Sequence, residues 1–167
     1  MKRIVIMFAL CWCSLLQAQQ EVSVDLGDAL AMKTLEVNYE YYLSEQSSLG
    51  VSGLFNFNGR TSDLRYHEDT MITPFFRHYF TANRSWNYFG EIFMGINSGK
   101  REFDIEGSTS KELMSYTDGA LGVSIGSKYI SNGGFVLSVH AGIGRNMFSD
   151  ISYEVVPRAG LNVGYRF

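Results

Sequence analysis

The sequence predicts an all-β fold: an eight-stranded antiparallel up-and-down β-barrel that crosses a membrane after a signal peptide is cleaved. Three observations carry this expectation. Apolar residues alternate with small or polar ones almost throughout, at the period of two that puts successive side chains on opposite faces of a strand. The connections between alternating segments are short at one end and, with one exception, long at the other. The 167 residues are 46% hydrophobic, 14% aromatic and 19% charged, with 17 glycines. That is too apolar for a disordered chain and too rich in Gly, Tyr and Phe for a helical bundle. A net charge of −3 gives no nucleic-acid footprint.

The N-terminus is a targeting segment. Lys2 and Arg3 precede an apolar run from Ile4 to Cys13, extended by Leu15 and Leu16, and Leu16-Gln17-Ala18 ends on a small residue. The run falls short of the ~20 residues of a transmembrane helix. It reads as a signal peptide over residues 1–18, leaving 19–167 as one barrel domain. Neither Cys11 nor Cys13 follows the small residue of a lipid-attachment site, and both leave with the leader. The exported domain is therefore built without disulfides. No later stretch is long enough for a transmembrane helix, so a membrane span requires a closed barrel.

The strands follow in order. A weak first strand sets Val22, Val24 and Leu26 against Ser23, Asp25 and Gly27, and a short connection near Ala29–Lys33 follows it. Leu35, Val37, Tyr39, Tyr41 and Leu43 oppose Glu36, Asn38, Glu40 and Tyr42. Leu49, Val51, Gly53, Phe55 and Phe57 oppose Gly50, Ser52, Leu54, Asn56 and Asn58. Ile72, Pro74, Phe76, His78 and Phe80 oppose Thr73, Phe75, Arg77 and Tyr79. Tyr88, Gly90, Ile92, Met94 and Ile96 oppose Phe89, Glu91, Phe93, Gly95 and Asn97. Leu121, Val123, Ile125 and Tyr129 oppose Asp118, Ala120, Gly122, Ser124, Gly126 and Lys128. Phe135, Leu137, Val139, Ala141 and Ile143 oppose Ser138, His140, Gly142 and Gly144. The last strand sets Val155 through Phe167 at odd positions against Val156, Arg158, Gly160, Asn162, Gly164 and Arg166.

Ser44–Ser48, Ala82–Trp86 and Ser131–Gly133 read as short turns, and Asn132-Gly133 suits a type I′ hairpin turn. Gly59–Thr70, Ser98–Tyr116 and Met147–Glu154 read as longer polar loops. Both prolines, Pro74 and Pro157, fall near the start of a strand that follows such a loop, where a lost ladder bond matters least.

Residue size decides which face looks inward. The polar face is rich in Gly, Ser and Asn, which fit the crowded interior of an eight-stranded barrel. The bulky apolar face suits lipid. At the short-turn end the outward residues are Tyr41, Phe80, Trp86, Tyr88, Tyr129, Tyr165 and Phe167, an aromatic girdle of the kind found at membrane interfaces. The alternative, a soluble lipocalin-like binder of small ligands, requires the opposite arrangement.

A signal peptide, eight amphipathic strands and a terminal strand ending Gly164-Tyr165-Arg166-Phe167 resemble the small outer-membrane barrels of Gram-negative bacteria, of OmpA- and OmpX-like architecture. The stretches Ile72–Phe80 and Val155–Arg158 look closest to an uncharacterised small-barrel family of Bacteroidetes. The resemblance implies residence in the outer membrane, contact with its lipid, and assembly by the barrel-assembly machinery through the strand ending in Phe167. It implies no activity and no catalytic residue.

Three motifs bear on chemistry. Gly122-Val123-Ser124-Ile125-Gly126 has the form G-x-S-x-G, but it lies within an alternating strand rather than at a strand-to-helix elbow. A turn at Asn132-Gly133 sets Ser124 near His140 on the inner face, with Asn162 approaching from the last strand. This pair is the alternative reading, a lumen-site enzyme acting on outer-membrane lipid; polar packing of the lumen is the favoured one. His67, His78 and His140 share no ligand spacing, His67-Glu68-Asp69 reads as a solvated acidic loop, and Asn83-Arg84-Ser85 reads as turn. No catalytic, cofactor or metal residue is assigned, and no cofactor is expected. Inward acids Asp25, Glu36, Glu40, Glu91 and Asp118 nearly balance Arg77, Lys128, Arg158 and Arg166, with Arg77 beside Glu91. The expected protein is a monomeric, non-enzymatic outer-membrane barrel with a filled lumen. Extracellular ligands would meet it at loops 59–70 and 98–116.

Overall fold

The computed structural model describes residues 19–32, 34–57, 68–81, 84–104 and 111–167. Residues 1–18, the expected signal peptide, most of the expected loop 59–70, His67 and Asn83 lie outside the described residues. Eight strands form a closed antiparallel barrel in sequence order. They are β1 (Gln20–Asp25), β2 (Thr34–Ser44), β3 (Ser47–Asn56), β4 (Glu68–Tyr79), β5 (Trp86–Asp104), β6 (Lys111–Ile130), β7 (Phe135–Asn146) and β8 (Val155–Arg166). β1 closes the barrel on β8, from Glu21 opposite Arg166 to Asp25 opposite Asn162.

The alternation has the expected sense. Ile72, Ile92, Leu121, Val123, Ile125, Val139 and Ile143 are all more than half exposed, while Asn38, Ser52, Thr73, Arg77, Glu91, Ser124, Lys128 and Asn162 are buried. A lipocalin-like arrangement is thereby inverted. The aromatic girdle stands at the end with the short turns. Phe80, Trp86, Tyr88, Tyr165 and Phe167 are exposed there, and the rings of Trp86 and Tyr129 lie 5.2 Å apart.

Inward glycines let large rings cross the lumen. A Cβ on Gly122 would stand 2.3 Å from the Phe93 ring, one on Gly126 2.3 Å from Phe89, and one on Gly50 2.2 Å from Phe75. Side chains thus fill the interior, as eight strands allow. A cavity of about 10 Å³, room for about one water, opens among Glu36, Leu54, Met71, Thr73, Pro157 and Arg158.

Five expectations need correction. The connection after β1 is a helix, α1 (Leu26–Met32). Leu, Ala and Met favour helix, and strict alternation is lost from Ala29 to Met32. Ser98–Tyr116 is mostly strand: β5 and β6 pair continuously from Trp86–Tyr129 to Asp104–Lys111. They are 19 and 20 residues long, about twice the ~9–11 residues that cross a membrane. Glu68 is not in a solvated loop; it starts β4 and is buried. Pro74 is therefore the seventh residue of β4 rather than near its start, and the β4–β5 ladder skips Thr73 and Pro74.

The fifth correction concerns the last turn. Ser131 N donates to Phe135 O and Gly134 N to Ser131 O, so the loop has three residues, with Gly134 at φ +84°. This is the turn-plus-bulge hairpin in which the final position is left-handed, not the two-residue type I′ turn. The extra residue shifts the register: Ser124 opposes Gly142, and His140 opposes Gly126.

Candidate functional site

Two features stand out from the lumen upward: a chain of ion pairs along the barrel, and a pinned loop at its far rim. Both follow from inward positions on the strands. On adjacent strands these positions meet as cross-strand pairs, and across a narrow lumen long charged side chains reach further.

The chain of ion pairs starts at the turn end. Arg166 Nη2 lies 3.4 Å from Glu21, and Lys128 Nζ bridges Glu21 at 2.7 Å and Glu40 at 2.6 Å. Arg77 joins Glu40 at 2.7 Å to Glu91 at 2.6 Å. Arg158 joins Glu91 at 2.9 Å to Glu36 at 3.2 Å. Four cations and four carboxylates thus alternate without a break. Hydroxyls complete the coordination. Tyr79 Oη and Ser48 Oγ each donate to Glu40 at 2.5 Å, and Tyr42 Oη donates to Glu21 at 2.9 Å. The guanidinium of Arg77 also lies over the rings of Phe75 and Phe89, at 4.4 and 4.6 Å. Buried charge is tolerated only with such pairing.

The expected Arg77–Glu91 pair is therefore present, on directly opposed residues of β4 and β5. Sequence reading missed Glu21, which lies in the weakest strand, and Glu68. With them the buried acids are Glu21, Asp25, Glu36, Glu40, Glu68, Glu91 and Asp118, against Arg77, Lys128 and Arg158 with Arg166 partly covered. The lumen of the described residues is acid-rich rather than balanced. Continued alternation was the available signal: Glu21 precedes Ser23 and Asp25 by steps of two.

Ser124 and His140 both face the lumen, as expected, but are not directly opposed. Ser124 Oγ donates to Glu91 at 2.9 Å, and His140 Nδ1 meets Asn162 Nδ2 at 3.3 Å. Asn162 does approach from β8, and it also accepts from Asn38 Nδ2 at 3.2 Å. Both residues are buried, 3% exposed, inside a filled lumen. The serine hydroxyl is committed to a carboxylate that two guanidiniums already hold, which is packing rather than the nucleophile–base geometry of a hydrolase. Among the described residues no group of three His, Cys, Asp or Glu is placed to hold a metal.

At the opposite rim, Asp118 organises residues 147–154. Its carboxylate accepts from Gly119 N at 2.6 Å, Phe148 N at 2.9 Å and Ser149 N at 3.1 Å, and from the Ser152 hydroxyl. Arg101, on the extended part of β5, donates to the carbonyls of Ile151 and Ser152 at 3.2 Å and lies over the Tyr153 ring. The long β5–β6 hairpin and this loop are thereby joined into one surface.

Residues 5–165 match a family described as "Protein of unknown function (DUF3575)". No curated protein matches the chain. Among solved structures, the chain resembles the N-terminal β-barrel domain of Pseudomonas aeruginosa OprF. The TM-score is 0.61 at 13% identity, covering 90% of this chain and 96% of that one. It also resembles Ail, the attachment invasion locus protein of Yersinia pestis. There the TM-score is 0.50 at 16% identity, covering 91% and 100%. At these identities the likeness is one of fold.

Proposed function

The chain belongs to the DUF3575 family, and on the geometry of its barrel we propose that it is an integral outer-membrane protein, exported by the leader 1–18 and without catalytic activity. It serves as a rigid, closed scaffold that presents a surface for interaction. One observation carries the reading: the belt of exposed apolar side chains surrounds an ion-paired, filled lumen. A soluble protein rarely exposes so continuous an apolar surface, whereas lipid stabilises it.

The end with short turns and chain termini is the periplasmic end, and the strand ending in Phe167 is what the assembly machinery reads. The opposite end carries the interaction surface. It comprises the β5–β6 hairpin and residues 147–154, with the chain that joins β3 to β4 as the other expected contact. A rigid barrel carries its function on such loops. Its barrel closes on itself within one chain, so a monomer is sufficient.

The test is migration on gels. Extracted in mild detergent, the folded protein should run faster unheated than boiled. A folded species that stays soluble without detergent would sink the reading. Mass spectrometry of membrane lipids addresses the enzymatic alternative. A lipid modification lost on deletion, and restored by wild type but not by His140→Ala, would replace the scaffold with an enzyme.

A further inference from the structure

Among the described residues, the barrel wall contains a seam beside β1. β1 pairs with β8 only as far as Asp25–Asn162, and with β2 only as far as Val24–Val37. Beyond that level α1 stands in the place of a strand, packed against both β2 and β8. A helix directs its N–H and C=O groups along its own axis, so it closes the wall by packing rather than by a ladder. β8 continues past it from Leu161 to Val155. On β8 the odd-numbered N–H groups face this side: Phe167 N donates to Gln20 O at 2.8 Å, and Leu161 N donates to the Asp25 carboxylate at 3.2 Å. The same parity places the missing N–H of Pro157 at the seam, where no strand requires it.

Immediately inside lies the 10 Å³ cavity, bounded by Glu36 of β2 and by Pro157 and Arg158 of β8. Arg158 is 5% exposed. Its Nε and Nη1 are bound by Glu91, Glu36 and Ser52, but its buried Nη2 has no acceptor. A buried donor without an acceptor is a standing penalty that a ligand oxygen would remove. Beside these polar partners, Leu54, Met71, Phe75, Phe93 and Val156 belong to one apolar cluster. Met71 is the adaptable member: its Cε occupies the hollow over Gly95, and methionine repacks readily.

We propose that this seam is a lateral portal for a neutral single-chain ester lipid. The ester end of the lipid enters from the bilayer past α1 and displaces Met71 onto a new rotamer, while the acyl chain stays in the lipid. The ester carbonyl accepts from Arg158 Nη2. Charge selects the neutral ester over a fatty-acid carboxylate, because among the described residues the lumen already holds more acids than bases. The exposed Leu26 and Leu30, four residues apart on α1, keep the helix in apolar surroundings as it moves. The portal rests on the membrane reading above for its source of lipid.

A disulfide lock tests it. A Cβ on Gly27 would stand 3.4 Å from Leu161 Cβ, close to disulfide spacing, and residues 19–167 contain no cysteine. The double variant Gly27→Cys/Leu161→Cys, wild type and Arg158→Lys are refolded in detergent. Each is incubated with monododecanoylglycerol or with dodecanoate, and bound lipid is read by native mass spectrometry. Wild type and the reduced double variant should retain one ester molecule. The oxidised double variant and Arg158→Lys, both still heat-modifiable, should retain at least tenfold less. Dodecanoate should bind at least tenfold more weakly than the ester. Equal retention by the oxidised and reduced forms would overturn the portal, and wild-type retention by Arg158→Lys would overturn the assigned donor. Tighter binding of dodecanoate, or no ester bound by wild type, would overturn the ligand class. Loss of heat-modifiability in wild type would sink the membrane reading and the portal with it.

Discussion

Glu91 accepts from Arg77 Nε at 2.6 Å, from Arg158 Nε at 2.9 Å and from Ser124 Oγ at 2.9 Å. Truncating it leaves Arg77 with Glu40 and Arg158 with Glu36 as their remaining ion-pair partners inside the barrel, and breaking a buried pair this way costs about 3–5 kcal/mol. Glu91→Ala should therefore lower resistance to urea by about that much. Adding Arg77→Ala should cost little more, because it removes one of the two guanidiniums left short of a partner. Additive losses in the double variant, measured by urea titration of the fast-migrating band, would show that the two do not act as a unit. Arg77–Glu91 was legible in the sequence because a short turn near Arg84 sets the register of β4 and β5. Lys128–Glu21 and Arg158–Glu36 were not. Their residues are 107 and 122 positions apart and meet only across the closed lumen.

Among the elements, the rim loop depends on one carboxylate. Asp118→Ala removes the acceptor of Gly119 N, Phe148 N, Ser149 N and the Ser152 hydroxyl. A hydrogen bond to a charged group contributes about 1.5–3 kcal/mol. Amide exchange at residues 148–152 should accelerate roughly tenfold to a hundredfold, at about 1.4 kcal/mol per tenfold. Strand amides of β2 and β3 should be unaffected; uniform acceleration would mean that Asp118 supports the whole barrel. At the other end, Gly134 sits at φ +84°, and an added Cβ would stand 2.5 Å from Arg166 O. A left-handed conformation costs a residue with a Cβ roughly 1–2 kcal/mol before that clash is counted. Gly134→Ala should lower the temperature at which the fast-migrating band is lost, and an unchanged temperature would show that the turn tolerates a side chain. Asn132-Gly133 marked this hairpin in the sequence, but loop length is set by which glycine becomes left-handed, and Gly133 and Gly134 are equally permissive.

For the whole molecule, alternating charge and crossing aromatic rings stand across the axial path. Planar-bilayer recordings of wild type should show no steady open channel. Reproducible nanosiemens-scale conductance would show that the ion-paired lumen opens.

Strand number, the face each strand turns outward and the girdle were determined by the sequence alone. Period-two alternation is local, and a side chain's face follows from its parity along the strand. Leu121, Val123 and Ile125 face outward for that reason alone. Where strands end is less local. β5 and β6 continue past Ser98 because each supplies the other's ladder partners, so polar residues that read as a loop remain paired to Asp104 and Lys111. Only the tertiary structure decided three further features: the helix that interrupts the wall, the two-residue discrepancy that carries Ser124 from His140 to Gly142, and the charge chain from Arg166 to Glu36. The charge chain depends on barrel closure, which joins β1 to β8 and brings side chains more than a hundred residues apart into one low-dielectric lumen, where an unpaired charge is not tolerated.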